Sequence, residues 1–173
     1  MRYNHQGANM QKKILLILTH IAIVICSAQA LAKDMTHRLG VGLQNNTSVD
    51  IPSVGVVYYS DKKLAFTGSV GIDTQKNAAQ TQISGGARSM IFFENNLNAY
   101  IGGQVSLINT EDPVNGKANG LEFAGTGGVE FYFPGLENLA FTAEVGLALS
   151  TVRNTRIRTI ANDPFHAGII FYF

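Results

Sequence analysis

Two neighbouring segments of the chain alternate between apolar and small or polar residues over an unusual length. From Leu121 to Phe133 nearly every second residue is apolar or glycine, and Glu122 and Glu130 stand in the intervening series. The segment from Leu139 to Ser150 repeats the pattern, with Glu144 on its polar side. Because successive side chains of a β-strand point to opposite faces, both segments predict strands with one continuous hydrocarbon face.

The rest of the chain from Lys33 onward also reads as strands separated by turn-forming clusters. The predicted strands are Arg38 to Gln44, Val54 to Tyr59, Leu64 to Ile72, Gln82 to Phe93, Ala99 to Ile108, Leu121 to Phe133, Leu139 to Ser150 and Phe165 to Phe173. Most are near or above the ~9–11 residues that a tilted strand needs to cross a bilayer, whereas soluble strands average about five or six. Charged residues make up only 14% of the chain, against roughly 25% in soluble proteins, so we expect lipid to cover part of its surface.

The predicted connections alternate in length along the chain. Short ones follow the second, fourth and sixth strands, and long ones follow the first, third, fifth and seventh, a pattern typical of outer-membrane barrels. All four prolines fall in connections, where no ladder hydrogen bond is lost: Pro52, Pro113, Pro134 and Pro164. We therefore expect an all-β fold, an eight-stranded antiparallel up-and-down transmembrane β-barrel. A secreted soluble β-sandwich also alternates and is the alternative fold.

The aromatic residues of the predicted strands are concentrated toward the short-turn end. Aromatic rings prefer the membrane interface, so the pattern predicts one dense girdle at the periplasmic rim. Its members are Tyr58, Tyr59, Phe66, Phe92, Phe93, Tyr100, Phe131, Tyr132, Phe133, Phe141, Phe171, Tyr172 and Phe173.

The N-terminal residues have the three regions of a secretory signal peptide. Lys12 and Lys13 precede an apolar run from Ile14 to Ile25, and small-residue cleavage sites end at Ala30 and Ala32. The run is too short for a membrane anchor helix, which needs about 20 apolar residues. We expect a signal peptide over 1–32, with Met10 as a possible true start, and a barrel over 33–173.

Removing this segment changes both the charge and the cysteine content. Loss of Arg2, Lys12 and Lys13 from the 13 basic residues leaves ten against 12 acidic residues, a formal charge of −2. The single cysteine, Cys26, is removed as well, so neither disulfides nor thiol chemistry are expected. No basic footprint for nucleic acid remains.

The last strand ends on a phenylalanine and has apolar residues at every second position: Phe173, Phe171, Ile169, Ala167 and Phe165. This pattern resembles the signal by which Gram-negative outer-membrane proteins are recognised for barrel assembly. The whole mature chain resembles the small eight-stranded barrels of the outer membrane protein A, outer membrane protein X and Opacity type. The resemblance implies a location in the bacterial outer membrane, with its lipids and the barrel-assembly machinery as partners, more than it implies an activity.

The alternation assigns six polar side chains to the barrel lumen: Arg38, Arg88, Glu122, Glu130, Glu144 and His166. Arg88 and Glu144 fall near mid-membrane, where an unpaired charge is costly, so we expect them to pair across the lumen. Side chains largely fill the interior of an eight-stranded barrel, which favours a structural plug over a narrow pore or gated ion channel.

The sequence does not favour an enzyme or a cofactor-binding protein. Some similar barrels modify lipid A, but His166 has no serine nearby in sequence and no evident orienting carboxylate. Two separated histidines, His37 and His166, do not make a metal site. The glycine-rich segment 125–130 is followed by no helix, so sheet curvature explains it better than phosphate binding.

The last predicted long connection, 151–164, carries Arg153, Arg156 and Arg158. Guanidinium groups bind phosphate in bidentate fashion, so this loop is expected to contact lipopolysaccharide phosphates or a host surface polyanion, although a solvated charge run has the same appearance. The sequence therefore predicts an outer-membrane barrel with a structural, adhesive or lipopolysaccharide-contacting role through four long extracellular loops.

Overall fold

The computed structural model describes residues 34–160 and 166–173, which form a single antiparallel sheet of nine strand segments. The segments are β1 Leu39–Asn45, β2 Pro52–Tyr59, β3 Leu64–Asp73, β4 Gln80–Phe93, β5 Leu97–Asp112, β6 Gly116–Phe133, β7 Leu136–Ser150, β8 Arg156–Thr159 and β9 His166–Tyr172. Among these residues, no helix has the length and apolarity needed to cross a membrane. The predicted signal peptide and Phe165 lie outside the described residues.

The sheet closes on itself. Each strand from β1 to β7 pairs with the next, and β9 pairs with β7 on one side and with β1 on the other. Gly42 lies opposite Ile170 at the closing seam, and Glu144 lies opposite His166 on the other edge of β9. The predicted closed antiparallel barrel of eight strands is confirmed, and the alternative of a two-sheet sandwich is wrong.

The eighth barrel strand consists of two pieces. β8 pairs with the end of β7, from Leu147↔Thr159 to Ser150↔Arg156, and β9 pairs with the earlier part of β7. The predicted long connection over 151–164 is therefore wrong, because only residues 151–155 join β7 to β8. Arg156 and Arg158 are consequently strand residues.

Two other connections differ from the prediction. β5 and β6 continue as a long hairpin, so the predicted loop over 109–119 reduces to residues 113–115 beyond the Asp112↔Gly116 pair. Asp112 Oδ1 accepts hydrogen bonds from the backbone of Asn115 and Val114 at the tip, and these bonds lower the pKa of its carboxyl group. Pro52 is the first residue of β2, a strand position that tolerates a missing N–H.

The two ends of the barrel are named here by their connections. At the loop end lie residues 46–51, 74–79, 113–115 and 151–155. At the turn end lie residues 60–63, 94–96 and 134–135, together with the chain terminus at Phe173.

The outer face of the barrel is apolar and its interior is largely polar. Leu43, Ile101 and Leu147 are more than half exposed on the outer face, whereas Gln82 and Ser106 are fully buried inside. A soluble protein buries its large apolar residues and exposes its polar ones. The alternation predicted from the sequence therefore places hydrocarbon outside and polar groups inside.

The predicted aromatic girdle is only partly present. Tyr59, Tyr100, Tyr132 and Tyr172 are buried inside the barrel, so their assignment to the outer rim is wrong. They form an internal cluster with neighbours that include Met90, and Phe93 packs against this cluster. The exposed aromatic residues of the turn end are Tyr58, Phe66, Phe92, Phe131, Phe133, Phe141, Phe171 and Phe173.

Candidate functional sites in the barrel interior and mouth

A buried carboxylate organises the turn end of the interior. Glu130 is fully buried, and the hydroxyl groups of Tyr59, Tyr132 and Tyr172 all donate to it. The Tyr132 bond to Glu130 Oε2 is 2.7 Å long. Three hydroxyl donors on one carboxylate replace the water that burial removes, so the tyrosines are part of the charge network and not only packing.

Arg88 occupies the middle of the interior between two carboxylates. Its Nη1 lies 4.0 Å from Glu130 Oε1 and its Nη2 lies 3.9 Å from Glu144 Oε1. The guanidinium carbon also lies 4.6 Å from the centroid of the Tyr100 ring, while the Tyr100 hydroxyl donates to Glu144 at 2.7 Å. The structure thus brings Arg88 and Glu144 together, and Glu130 is a second partner of the same arginine.

His166 joins this middle group through Glu144. Its Nδ1 lies 2.9 Å from Glu144 Oε2, and both side chains are buried. The sequence-based statement that His166 lacks an orienting carboxylate is therefore wrong. The adjoining polar cavity has a volume of ≈ 20 Å³, which is the space for about one water molecule.

A third buried carboxylate organises the loop end. Glu122 accepts a 2.8 Å hydrogen bond from Thr47 Oγ1 and another from the Ser48 hydroxyl. Arg158 lies 3.3 Å from Glu122 and also donates to the Thr47 carbonyl and to the Ser48 hydroxyl. Arg158, predicted as a loop residue for polyanion contact, instead holds the connection 46–51 to the barrel wall.

Residues 46–51 fold into the barrel mouth, which is the opening at the loop end. Asn46, Thr47, Val49 and Ile51 are all buried, and the Asn46 side chain closes the turn with a 2.8 Å bond to the Ile51 carbonyl. Val49 and Ile51 pack against Ile108 of β5. The expectation of a long extracellular loop is wrong at this position, because the segment forms a cap over the interior.

Arg38 lies apart from the five other predicted lumen residues. It precedes β1 at the turn end, is half-buried, and donates to Asn138 Oδ1 at 3.0 Å. The alternation correctly assigns Arg38 to the inner series, but at the rim its side chain extends to Asn138 near the start of β7. Its assignment to the lumen network is therefore wrong.

The remaining two arginines lie at the barrel mouth. Arg153 is exposed and donates to the carbonyls of Asn115 and Gly116 at 3.1 and 3.0 Å, which ties residues 151–155 to the β5–β6 hairpin. Arg156 is exposed and lies opposite Ser150, which is buried on the inner face. Both arginines line a cleft in the mouth instead of the outer wall.

The glycine-rich segment of β6 has a packing role that the sequence did not reveal. A Cβ on Gly128 would lie 2.8 Å from the Tyr100 hydroxyl oxygen and 2.8 Å from Glu144 Cγ, whereas one on Gly127 would meet open space. Gly128 therefore leaves room for the Tyr100–Glu144 hydrogen bond. This role at one position is more specific than the general sheet curvature expected from the sequence. Position on the inner series is the signal that distinguishes the two glycines.

Comparison with known proteins identifies the fold and not a family. No family model matches the sequence, and no curated protein matches it. The N-terminal β-barrel domain of Pseudomonas aeruginosa OprF superposes with a TM-score of 0.58 at 13% identity, covering 82% of this chain and all of that domain. Neisserial surface protein A superposes with a TM-score of 0.51 at 15% identity, covering 79% of this chain and 94% of that protein. The chain has the fold of the small eight-stranded outer-membrane barrels.

Arg88→Ala should strongly destabilise the barrel. The substitution leaves Glu130 and Glu144 buried without their shared cation, and breaking a buried ion pair in this way costs about 3–5 kcal/mol. Urea unfolding of the refolded protein, followed by far-ultraviolet circular dichroism, measures the loss. Arg88→Lys keeps the charge but not the planar fork, so we expect it to recover part of the stability.

Arg156→Ala is the matched control, because it removes an exposed arginine from the mouth. Its effect on the free energy of unfolding should stay within about 0.5 kcal/mol. Equal losses in Arg88→Ala and Arg156→Ala would show that Arg88 does not hold the two carboxylates.

Proposed function

We propose that the protein is a small bacterial outer-membrane barrel with a closed, structural interior and a mouth that contacts anionic saccharides. The observation that carries the proposal is the continuous apolar outer face around an interior of buried charges, which lie within ion-pair distance of one another or accept hydrogen bonds. Only a lipid surrounding makes that arrangement favourable, because an apolar belt this large is costly in water. The signal-peptide pattern over 1–32 supports delivery across the inner membrane.

The last strand supports assembly by the outer-membrane machinery. Ile169, Phe171 and Phe173 are each more than half exposed on the outer face at the turn end. Apolar residues at every second position up to the terminus are therefore accessible to a partner that reads the strand from outside. We infer that the barrel-assembly machinery is such a partner.

A charge on the outer wall should prevent stable membrane insertion. Val105 is exposed on the outer face of β5 and pairs with Gly85 and Phe123 on its two sides. In a bilayer, Val105→Arg should cost about 2–4 kcal/mol near the midplane. Folding into phospholipid vesicles, followed by the unfolding midpoint in urea, measures this cost.

Val114→Arg is the control for the same chemical change. Val114 is 90% exposed at the tip of the β5–β6 hairpin, outside the apolar belt. Its substitution should leave folding into vesicles unchanged. If Val105→Arg folds as well as Val114→Arg, the outer wall does not face lipid.

We propose a closed interior and not a pore. Glu130 with its tyrosines blocks the turn end, Arg88 spans the middle, and residues 46–51 cap the mouth. Planar-bilayer recordings of the wild-type protein should show no discrete conductance steps. Discrete, reproducible conductance steps would contradict the closed interior and favour the alternative of a gated channel.

We also propose that His166 is a structural residue and that the barrel is not a lipid A-modifying enzyme. His166 is oriented by Glu144, but the adjoining cavity of ≈ 20 Å³ accommodates a water molecule and no acyl chain. The role that fits is a hydrogen-bonded link between β9 and β7 in the middle of the interior.

Contact with phosphorylated saccharides is supported by Arg153 and Arg156, since Arg158 is engaged by Glu122. The Arg153→Gln/Arg156→Gln variant should bind lipopolysaccharide roughly tenfold more weakly, because it removes the exposed Arg156 guanidinium and the positive charge of Arg153, whose terminal nitrogens already donate to the Asn115 and Gly116 carbonyls. Biolayer interferometry on barrels in phosphatidylcholine nanodiscs measures the affinity. Added salt should weaken wild-type binding, because the contacts are exposed.

Lys62→Gln/Lys63→Gln is the matched control, because it removes two cations from the turn end. This variant should bind lipopolysaccharide as the wild type does. Heparin, a sulfated polyanion, serves as a second ligand that distinguishes host-type glycans from lipopolysaccharide. Equal loss in both double variants would mean that total charge and not the mouth determines binding.

A further inference from the structure

A cleft of ≈ 320 Å³ opens in the barrel mouth above the cap formed by residues 46–51. Its volume is at the lower end of the range for small-molecule sites, about 300–1,000 Å³. The cleft lies on the inner side of the barrel wall, because Ile108 and Ser150, which line it, are buried inner-face residues. Its ligand therefore approaches from the aqueous side and not from the membrane.

The floor of the cleft is apolar and fixed. Val49 and Ile108 are buried in one small cluster, and Val152 packs against them. The Arg158–Glu122 contact holds the backbone of Thr47 next to this floor. A ligand group with an apolar face can therefore lie on a surface that is already formed.

The wall of the cleft combines neutral polar groups with two cations. Thr110 and Asn154 provide a hydroxyl and an amide, and Arg153 and Arg156 provide guanidinium groups. Arg153 is partly engaged, because it donates to the carbonyls of Asn115 and Gly116. Among the described residues, no carboxylate lies within ion-pair distance of Arg156.

We propose that this cleft binds a single phosphorylated sugar unit. The apolar face of a pyranose ring fits the Val49–Ile108–Val152 floor, its hydroxyl groups fit Thr110 and Asn154, and its phosphate fits Arg156 with Arg153. The inference rests on the proposed function for its anionic saccharide, and it adds a defined site and a ligand size. Binding of a sugar phosphate requires contacts with both the apolar floor and the polar wall of the cleft. Attraction of a polyanion to the surface requires only the cations.

The test is a methyl-detected nuclear magnetic resonance titration of the purified protein in micelles free of lipopolysaccharide. Glucose 6-phosphate should shift the signals of Val49, Ile108 and Val152 with a saturable dependence on concentration. Glucose and inorganic phosphate, each lacking one half of the ligand, should bind at least about tenfold more weakly. Phosphate binding as tightly as the sugar phosphate would overturn the proposal.

Three variants complete the experiment. Arg156→Gln should weaken glucose 6-phosphate binding roughly tenfold, and Asn154→Tyr should abolish it by filling the cleft from an exposed position. Lys76→Gln removes a loop-end cation outside the cleft and should have no effect. Saturable binding that survives Asn154→Tyr would place the ligand elsewhere and overturn the proposal.

The two proposals fail in distinguishable ways. Loss of lipopolysaccharide binding in the Arg153/Arg156 double variant, without saturable glucose 6-phosphate binding, would overturn the cleft and leave the proposed function. Saturable glucose 6-phosphate binding without any lipopolysaccharide binding would support the sugar-phosphate cleft and contradict the proposed contact with lipopolysaccharide.

Discussion

The barrel depends on the seam where β9 pairs with β1, because without this pairing both strands would present a row of unpaired backbone groups along an open sheet edge. The register of this seam places Gly42 opposite Ile170 and Gly40 opposite Tyr172. A Cβ on Gly40 would lie 2.6 Å from both the Ile170 and Tyr172 side chains. Glycine at this position lets the inward Tyr172 ring pass and reach Glu130, so the backbone closure and the interior network are set together.

Closure fixes which residues face inward, and the interior must then satisfy its own charges. The three buried glutamates are distributed along the barrel: Glu130 toward the turn end, Glu144 in the middle and Glu122 at the mouth. Each has a cation nearby and hydroxyl donors, which is the condition under which buried charge is tolerated. Tyrosine suits the turn end because its ring fills volume and its hydroxyl supplies a hydrogen bond.

The sequence predicts the barrel well because the alternation of β6 and β7 is strict and long. The same alternation places Tyr132 inside, because Tyr132 stands in the same series as Glu130. Sorting the aromatic residues by strand end, without regard to face, wrongly placed four tyrosines in the girdle: Tyr59, Tyr100, Tyr132 and Tyr172. The assignment of Arg38 to the lumen network is wrong for a different reason. At the rim of the barrel a side chain can turn away from the direction that the alternation assigns to it.

The contacts at the mouth could not be predicted in the same way. The Arg158–Glu122 contact joins residues 36 positions apart, and the inward fold of residues 46–51 adds Thr47 and Ser48 to the same cluster. In the segment 109–119 the dipeptide Asn115–Gly116, with Gly116 at a φ of 70°, is a hairpin signal, but the polar residues around it show no apolar alternation that would extend β5 and β6 to meet there. Periodicity determines a strand's faces, but the ends of strands depend on contacts between connections.

The arginines of the mouth show how one sequence cluster divides into two roles. Arg158 follows Arg156 by two residues in β8, so both belong to the same inner series and Arg158 lies farther from the mouth. Glu122, Thr47 and Ser48 surround its guanidinium group. By holding residues 46–51 in place, it positions the floor beneath Arg156, and a surface that is already formed lowers the ordering cost of binding. Arg158 therefore has a structural role, and through it the exposed Arg153 and Arg156 lie over a surface that is already formed. The sequence "VRNTRIRT" alone shows three equivalent loop cations and does not reveal this dependence.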